Sequence, residues 1–239
     1  MTTSPKLTPV DCTLCENALG RYCVPLSSRH RPASAKVLRG EVWELETIEF
    51  MRQHIGDREI VHAGMFFGDF LPGLAQTMAP GRDIYGFEPN PENYACAQWT
   101  VLLNGLSNVR MHHSGLGARS SKAFMRVASG EGLAMGGGSR IVDVASIPVG
   151  DAGITAVELI ALDDVLPSTA DIGIVQLDLE GYERTALTGA MRTIRRCRPM
   201  LILETLPADF VGAHLQPLGY AQTTTVCSNA VLVADVRRR

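Results

Sequence analysis

The chain has 239 residues, 46% of them apolar and 20% charged, and carries a formal net charge of −3. That length suits one compact domain with a sizeable core. The weak acidity gives no global field to draw in nucleic acid, and no apolar run reaches the ~18 residues a bilayer crossing needs.

Residues 1–40 carry Pro5, Pro9, Pro25 and Pro32 among Ser, Arg and His. They read as an irregular arm or small subdomain before a main domain over 41–239. Met1-Thr2-Thr3-Ser4-Pro5 lacks the charged-then-apolar order of a secretion signal, so a cytoplasmic location is expected. The six cysteines, Cys12, Cys15, Cys23, Cys96, Cys197 and Cys227, are then expected to be reduced. Cys12-x-x-Cys15 with Cys23 and His30 could hold zinc, but the spacing of the second half is poor. Packed thiols in the N-terminal segment are the preferred reading.

From Val42 to Ile55, apolar residues recur every three or four positions, which is a helix period. Short apolar runs follow, each ended by a small, polar or acidic residue: 60–64, 84–88, 109–113, 172–178 and 200–204. Helix-like stretches at 68–79, 91–104 and 181–195 lie between them. The alternation predicts an α/β fold with a mostly parallel, Rossmann-like sheet and helices on both faces. Residues 208–217 could form another helix. Tyr220–Val226 and Ala230–Val236, parted by Ser228-Asn229, predict a closing antiparallel hairpin. Residues 115–170 form an insert with a glycine-rich loop (Gly132, Gly136, Gly137, Gly138) and some strand character at 155–162. The run Arg237-Arg238-Arg239 reads as a solvated tail.

In an open parallel sheet, ligands bind beyond the carboxyl ends of the strands. The first predicted strand runs into Gly64-Met65-Phe66-Phe67-Gly68-Asp69, a turn whose glycines allow close backbone approach. It is not the G-x-G-x-x-G of a dinucleotide site. Glu88, 24 residues after Gly64, stands where a ribose diol is bound in this architecture. Pro89-Asn90 could instead make Glu88 part of a helix start. Ser114-Gly115-Leu116-Gly117 follows the third strand, beside the place of a base. His112 and His113 point to opposite faces. Asp178, Glu180 and Glu183 follow the fourth strand, and Glu204 the fifth; Glu183 reads as a first-turn helix acid.

With these residues in view, the chain resembles the FkbM family of methyltransferases over roughly residues 40–205. The likeness rests on His62-Ala63-Gly64-Met65-Phe66-Phe67-Gly68-Asp69 and Phe87-Glu88-Pro89-Asn90-Pro91-Glu92-Asn93. It continues through 103–109, Leu162-Asp163-Asp164, 177–183 and Arg198-Pro199. The resemblance implies S-adenosylmethionine as donor, held around Gly64, Gly68 and Glu88, and O-methylation of a natural product or sugar. His62 and Gln176 depart from the family's pattern. Many relatives have an acid at the first position and a basic residue at the second.

The cofactor set expected is therefore His62, Gly64, Phe66, Gly68, Asp69, Glu88, Asn90, Ser114, Gly115 and Leu116. Asp178, Glu180 and Glu204 are the candidate catalytic acids, with Asp178 as the base or orienting acid. The same three could hold Mg²⁺ through their oxygens. Trp43, Glu44 and Arg140 are candidate acceptor contacts, with the glycine-rich loop and the arm before Glu46 as lid or wall. The expected partner is a small molecule bearing a hydroxyl, with no nucleic acid or membrane; homo-oligomers are allowed. A nicotinamide-dependent oxidoreductase on the same fold and a non-catalytic nucleoside-binding protein are the rival readings.

Overall fold

A computed structural model describes residues 8–147 and 150–235. Pro5 and the Arg237–Arg239 run lie outside the described residues. The chain opens with an antiparallel hairpin, β1 (Cys12–Asn17) and β2 (Gly20–Pro25), then α1 (Pro32–Leu38) and α2 (Leu45–His54). Next come β3 (Glu59–Ala63), α3 (Leu71–Ala75), β4 (Ile84–Phe87), α4 (Pro91–Leu103) and β5 (Val109–His112). The insert contributes β6 (Gly115–Leu116), β7 (Ser121–Arg126), β8 (Arg140–Val142) and β9 (Ile154–Ile160). The remainder is α5 (Leu162–Val165), β10 (Ile172–Leu177), α6 (Glu183–Thr188), α7 (Met191–Cys197), β11 (Met200–Leu203), β12 (Tyr220–Val226) and β13 (Asn229–Ala234).

The central sheet has the order β12-β13-β11-β10-β3-β4-β5. Strands β11, β10, β3, β4 and β5 run parallel, and β13 joins antiparallel to β11. Alternating side chains feed two separate cores, as a sheet covered on both faces requires. Ile60, Ile84, Ile174, Ile202 and Val231 pack toward α2, α3 and α4. Val61, Phe87, Val175, Leu201 and Leu232 pack toward α5, α6 and α7.

The five parallel strands match the apolar runs to within a residue or two; the other differences have local causes. The 68–79 helix shrinks to α3 because Gly68 sits at φ +80° and the turn holds until Phe70. The 181–195 helix breaks after Thr188. There a Cβ on Gly189 would lie 2.0 Å from the Gly117 carbonyl oxygen, so insert and helix meet backbone to backbone. Residues 208–218 fold as short α, π and 3-10 turns. The insert builds its own four-stranded sheet, β6-β9-β7-β8.

The N-terminal segment is regular where an irregular arm was expected. β2 lies on α4, with Cys23 N donating to Thr100 Oγ1 (3.2 Å) and Arg21 N to Asn104 Oδ1 (2.9 Å). The reduced state expected of the cysteines fails for two of them. Cys12 and Cys23 form a disulfide, their Cα atoms 5.8 Å apart, because the hairpin register sets Cys23 opposite Leu14, diagonal to Cys12. The pairing also takes both away from the zinc reading. Among the described residues, no helix is long and apolar enough to cross a membrane.

Candidate active site

The parallel register levels the strand ends: Leu177 is opposite both Ala63 and Leu203, and Ala63 is opposite Phe87, itself opposite His112. The residues that follow therefore line one rim, in the spatial order Glu204, Asp178, Gly64, Glu88, Ser114. Backbone bonds continue the ladder past the strands, from Asp178 N to Ala63 O (3.0 Å) and from Gly64 N to Phe87 O (3.0 Å).

Gly64 has no room for a side chain. It sits at φ +83°, and a Cβ would lie 1.9 Å from the Asp178 carbonyl oxygen. The turn then brings Phe66, at φ +48°, to donate its N–H to Glu88 Oε2 (2.9 Å), while Asn90 N donates to Oε1 (2.9 Å). Glu88 is buried, and desolvation pushes its carboxyl up to about 7, against the lowering effect of those N–H groups. Each oxygen keeps a lone pair for a ligand hydroxyl. The helix-start reading of this segment holds as well, for the Asn90 side chain caps α4 through Glu92 N (3.0 Å) and Asn93 N (3.4 Å).

Two cavities open on the rim and share Gly64, Gly137 and Asp178. The smaller, about 30 Å³, lies between Glu88 and the apolar side chains of Leu116, Met125, Ile141 and Leu159. The larger, about 270 Å³, runs from His62, Asp69 and Phe70 to Asp178, Glu180 and Glu204. Its outer wall comes from Arg31, Trp43, Glu44 and the β12–β13 turn at Cys227–Asn229. The glycine-rich loop roofs both. Asn90 Nδ2 donates to Ser139 Oγ (3.1 Å) and Asn93 Nδ2 to the Gly136 carbonyl (3.2 Å). A Cβ on Gly136 would lie 2.8 Å from Ser28 Cβ and 3.0 Å from Phe66 Cζ, so the glycines serve close approach.

The larger cavity is rich in carboxylates: Glu44, Asp69, Asp178, Glu180 and Glu204 line it, with Arg31 as the cation among them. Burial raises Asp178 well above the usual carboxylate range, and so do the charge of Glu204 and a hydrogen bond to it. Burial also raises Glu44, whose carboxylate accepts from Thr47 Oγ1 (2.9 Å) and Asn229 Nδ2 (3.0 Å). Asp69 is pushed up to about 7, first by desolvation. Glu180, raised by burial and by Glu204, donates its backbone N–H to Glu204 Oε2 (3.1 Å). Asp178, Glu180 and Glu204 bring oxygens within 4.8 Å of one another, a grouping able to surround a divalent cation.

Most residues singled out from the sequence gather here, with exceptions. His62, Phe66 and Asp69 line the larger cavity together with Trp43 and Glu44. Gly115 and Leu116 line the smaller one; Ser114 is buried beside them, its Oγ without a partner among the described residues. Gly68 faces Leu71 and Thr100 rather than a cavity, and Asn90 acts as cap and lid latch. Arg140, exposed at the start of β8, lines neither cavity, although its charge acts to lower Glu180. Arg31, Ser139, Asn93, Tyr182 and Asn229 were not singled out from the sequence: Asn93 and Tyr182 lay within the motifs of the resemblance and Arg31 and Ser139 within the expected wall and lid, while the Ser228-Asn229 turn marked only a hairpin.

A family model described as the Methyltransferase FkbM domain matches residues 54–225. Among solved structures, the FkbM methyltransferase from Methylobacillus flagellatus KT superposes with a TM-score of 0.50 at 17% identity, over 74% of this chain and 43% of that one. The present chain thus spans under half the length of that relative. The Pyrococcus abyssi tRNA (uracil-54, C5)-methyltransferase, solved with S-adenosyl-L-homocysteine, gives 0.49 at 12% identity, over 95% of this chain and 44% of that one. Among curated proteins, none matches the chain in sequence.

Proposed function

Since the chain belongs to the FkbM family of S-adenosylmethionine-dependent methyltransferases, we propose that it methylates a hydroxyl group of a small molecule. The observation that carries this reading is the rim itself. A glycine turn, a buried acid at the ribose position and the adjoining carboxyls of Asp178 and Glu204 stand side by side at the ends of neighbouring parallel strands. The cofactor fits on two further counts. Gly64 leaves a cradle that a Cβ would fill, and buried Ser114 Oγ and Asn93 Oδ1 have no partner among the described residues.

In this reading Glu88 takes the ribose hydroxyls, and the apolar smaller cavity between Leu116 and Leu159 takes the base. Because the cavities meet at Gly64, the methionine arm enters the larger one beside His62 and Asp69. The bound donor supplies an electrophilic methyl carbon on a sulfonium. The chain's own work is to align the acceptor hydroxyl, exclude water beneath the lid and take the hydroxyl proton onto Asp178. Alignment can supply about 7–11 kcal/mol of the barrier, whereas a base adds ~10²–10⁴-fold. Positioning by Trp43, Glu44 and the lid therefore matters more than proton transfer.

A cavity of about 270 Å³, roofed by the loop, suits a small acceptor rather than a polymer. The test is calorimetric titration with S-adenosylmethionine and S-adenosylhomocysteine, followed by a methyl-transfer screen over sugars and polyketide alcohols. Absence of binding to either ligand sinks the reading. Binding with no transfer to any acceptor favours a regulatory nucleoside-binding protein. The three-carboxylate grouping supports a second version in which Mg²⁺ orients the acceptor; activity unchanged by EDTA removes it.

A further inference from the structure

His62 and Gln176 form a polar pair in a place made for apolar side chains. They stand opposite each other on β3 and β10, on the sheet face that carries Ile60, Ile174 and Ile202 into the core. They are 2% and 1% exposed. His62 Nδ1 lies 2.5 Å from Gln176 Oε1. An amide oxygen accepts and never donates, so Nδ1 carries the hydrogen and a lone pair is left on Nε2. Phe70 stacks on the ring, with centroids 5.2 Å apart and planes 10° apart, and holds its orientation. Nε2 is buried without a partner among the described residues, although both side chains line the larger cavity. A bare buried acceptor costs stability until a donor arrives. Burial holds the ring's pKa down at about 4, so it is neutral near pH 7.

We propose that His62 Nε2 accepts a hydrogen bond from the α-ammonium of bound S-adenosylmethionine, and that Gln176, without touching the cofactor, fixes the ring in the tautomer that can do so. The inference rests on the cofactor reading above. If the nucleoside lies over Glu88 and Gly115, the methionine arm leaves it at Gly64, two residues past His62. Of the arm's polar groups only the ammonium donates. Its carboxylate would meet the lone pair of Nε2 and the nearby Asp69. Gln176 is thus a positioning residue, and the pair selects an amino-acid arm over a nucleoside that lacks one.

The experiment is titration calorimetry with three probes: S-adenosylhomocysteine, its des-amino analogue and 5′-methylthioadenosine, which lacks the amino-acid end. The proteins are the wild type, His62→Phe, Gln176→Met and Gln176→Glu. His62→Phe keeps a ring against Phe70 and removes the acceptor. His62→Phe and Gln176→Met should weaken S-adenosylhomocysteine by about tenfold or more, as loss of a charge-assisted bond implies. Both should leave the other two probes unchanged, which also reports that the fold is intact. Gln176→Glu keeps an oxygen acceptor for Nδ1–H and should bind S-adenosylhomocysteine like the wild type. Equal losses for S-adenosylhomocysteine and its des-amino analogue, or no loss for either, overturn the proposal. Failure of S-adenosylhomocysteine to bind the wild type overturns the cofactor reading, and this inference with it.

Discussion

Replacing Asp178 by Asn tests the chemistry at its centre. In the native chain burial and the charge of Glu204 hold the Asp178 carboxyl well above the usual carboxylate range. Asparagine keeps the shape but has no carboxylate oxygen with which to take up the acceptor's proton. Loss of a general base lowers turnover by about 10²–10⁴-fold, equivalent to roughly 2.7–5.4 kcal/mol of barrier. Cofactor affinity should stay near the wild-type value, because the polar contacts proposed for the cofactor fall on Glu88, Ser114 and His62 instead. Stability should move the other way. A carboxyl with a raised folded pKa binds its proton more tightly when folded, so its favourable contribution is present at low pH and lost as pH rises through the folded pKa. The amide of the variant does not titrate and has no such loss, so its melting temperature should equal or exceed that of the wild type at pH 8. Single-turnover methyl transfer, calorimetry with S-adenosylhomocysteine and thermal melts at pH 5 and pH 8 measure the three quantities. Wild-type turnover in Asp178→Asn would refute the assignment of the base, and a matching collapse of cofactor affinity would refute the division of the cavity.

Gly64→Ala should abolish measurable S-adenosylhomocysteine binding, since its Cβ would sit 1.9 Å from the Asp178 carbonyl at a φ of +83° that disfavours any side chain; calorimetry with an intact thermal transition checks it. Glu88→Gln should weaken S-adenosylhomocysteine by about tenfold or more if its carboxylate holds the ribose. Wild-type affinity should fall as pH drops through about 7, where the buried carboxyl takes up its proton, and that component should be missing from the variant. Cys12→Ser opens the Cys12–Cys23 loop, whose closure contributes roughly 3 kcal/mol in the chain-entropy account. A lower melting temperature in the variant, matched by wild type in dithiothreitol, is the expected result; equal melts under oxidising conditions would exclude a formed disulfide.

The sheet was legible because its strands are buried on both faces. Such strands appear as unbroken apolar runs, and the residue after each run marks the rim. Glu88, Asp178 and Glu204 could be picked out for that reason: each owes its place to its own strand. The local turn at Gly64 carried a signal too, because a left-handed backbone pressed against a carbonyl admits little but glycine. Gly68 gave the same signal for another cause, packing under α4, and its chemistry in sequence is indistinguishable from that of Gly64. The N-terminal hairpin was hidden by its prolines. Pro25 ends β2 and Pro32 begins α1, positions where the missing N–H is not needed, so the residues that suggested irregularity are the punctuation of regular elements.

The proposed acceptor side resisted reading for a different reason: no single segment owns it. Arg31 arrives from the loop before α1, Trp43 and Glu44 from the entry to α2, Gly137 and Ser139 from the insert, and Asn229 from the last hairpin. Each is common in sequence and meaningful only by convergence. Glu44 illustrates the point. Its left-handed backbone (φ +44°) is tolerated because its carboxylate is tied to Asn229, 185 residues away, and no local pattern announces such a pairing. The donor side is assembled on consecutive strand ends of one sheet, whereas the acceptor side is assembled from the periphery. Peripheral elements can change length and composition without disturbing the sheet, so the same rim can serve different acceptors while Gly64 and Glu88 stay in place. On the proposed reading the wall formed by Glu44, Glu180 and Asn229 sets acceptor selectivity, so substitutions there should shift which acceptor is methylated while leaving S-adenosylhomocysteine binding intact.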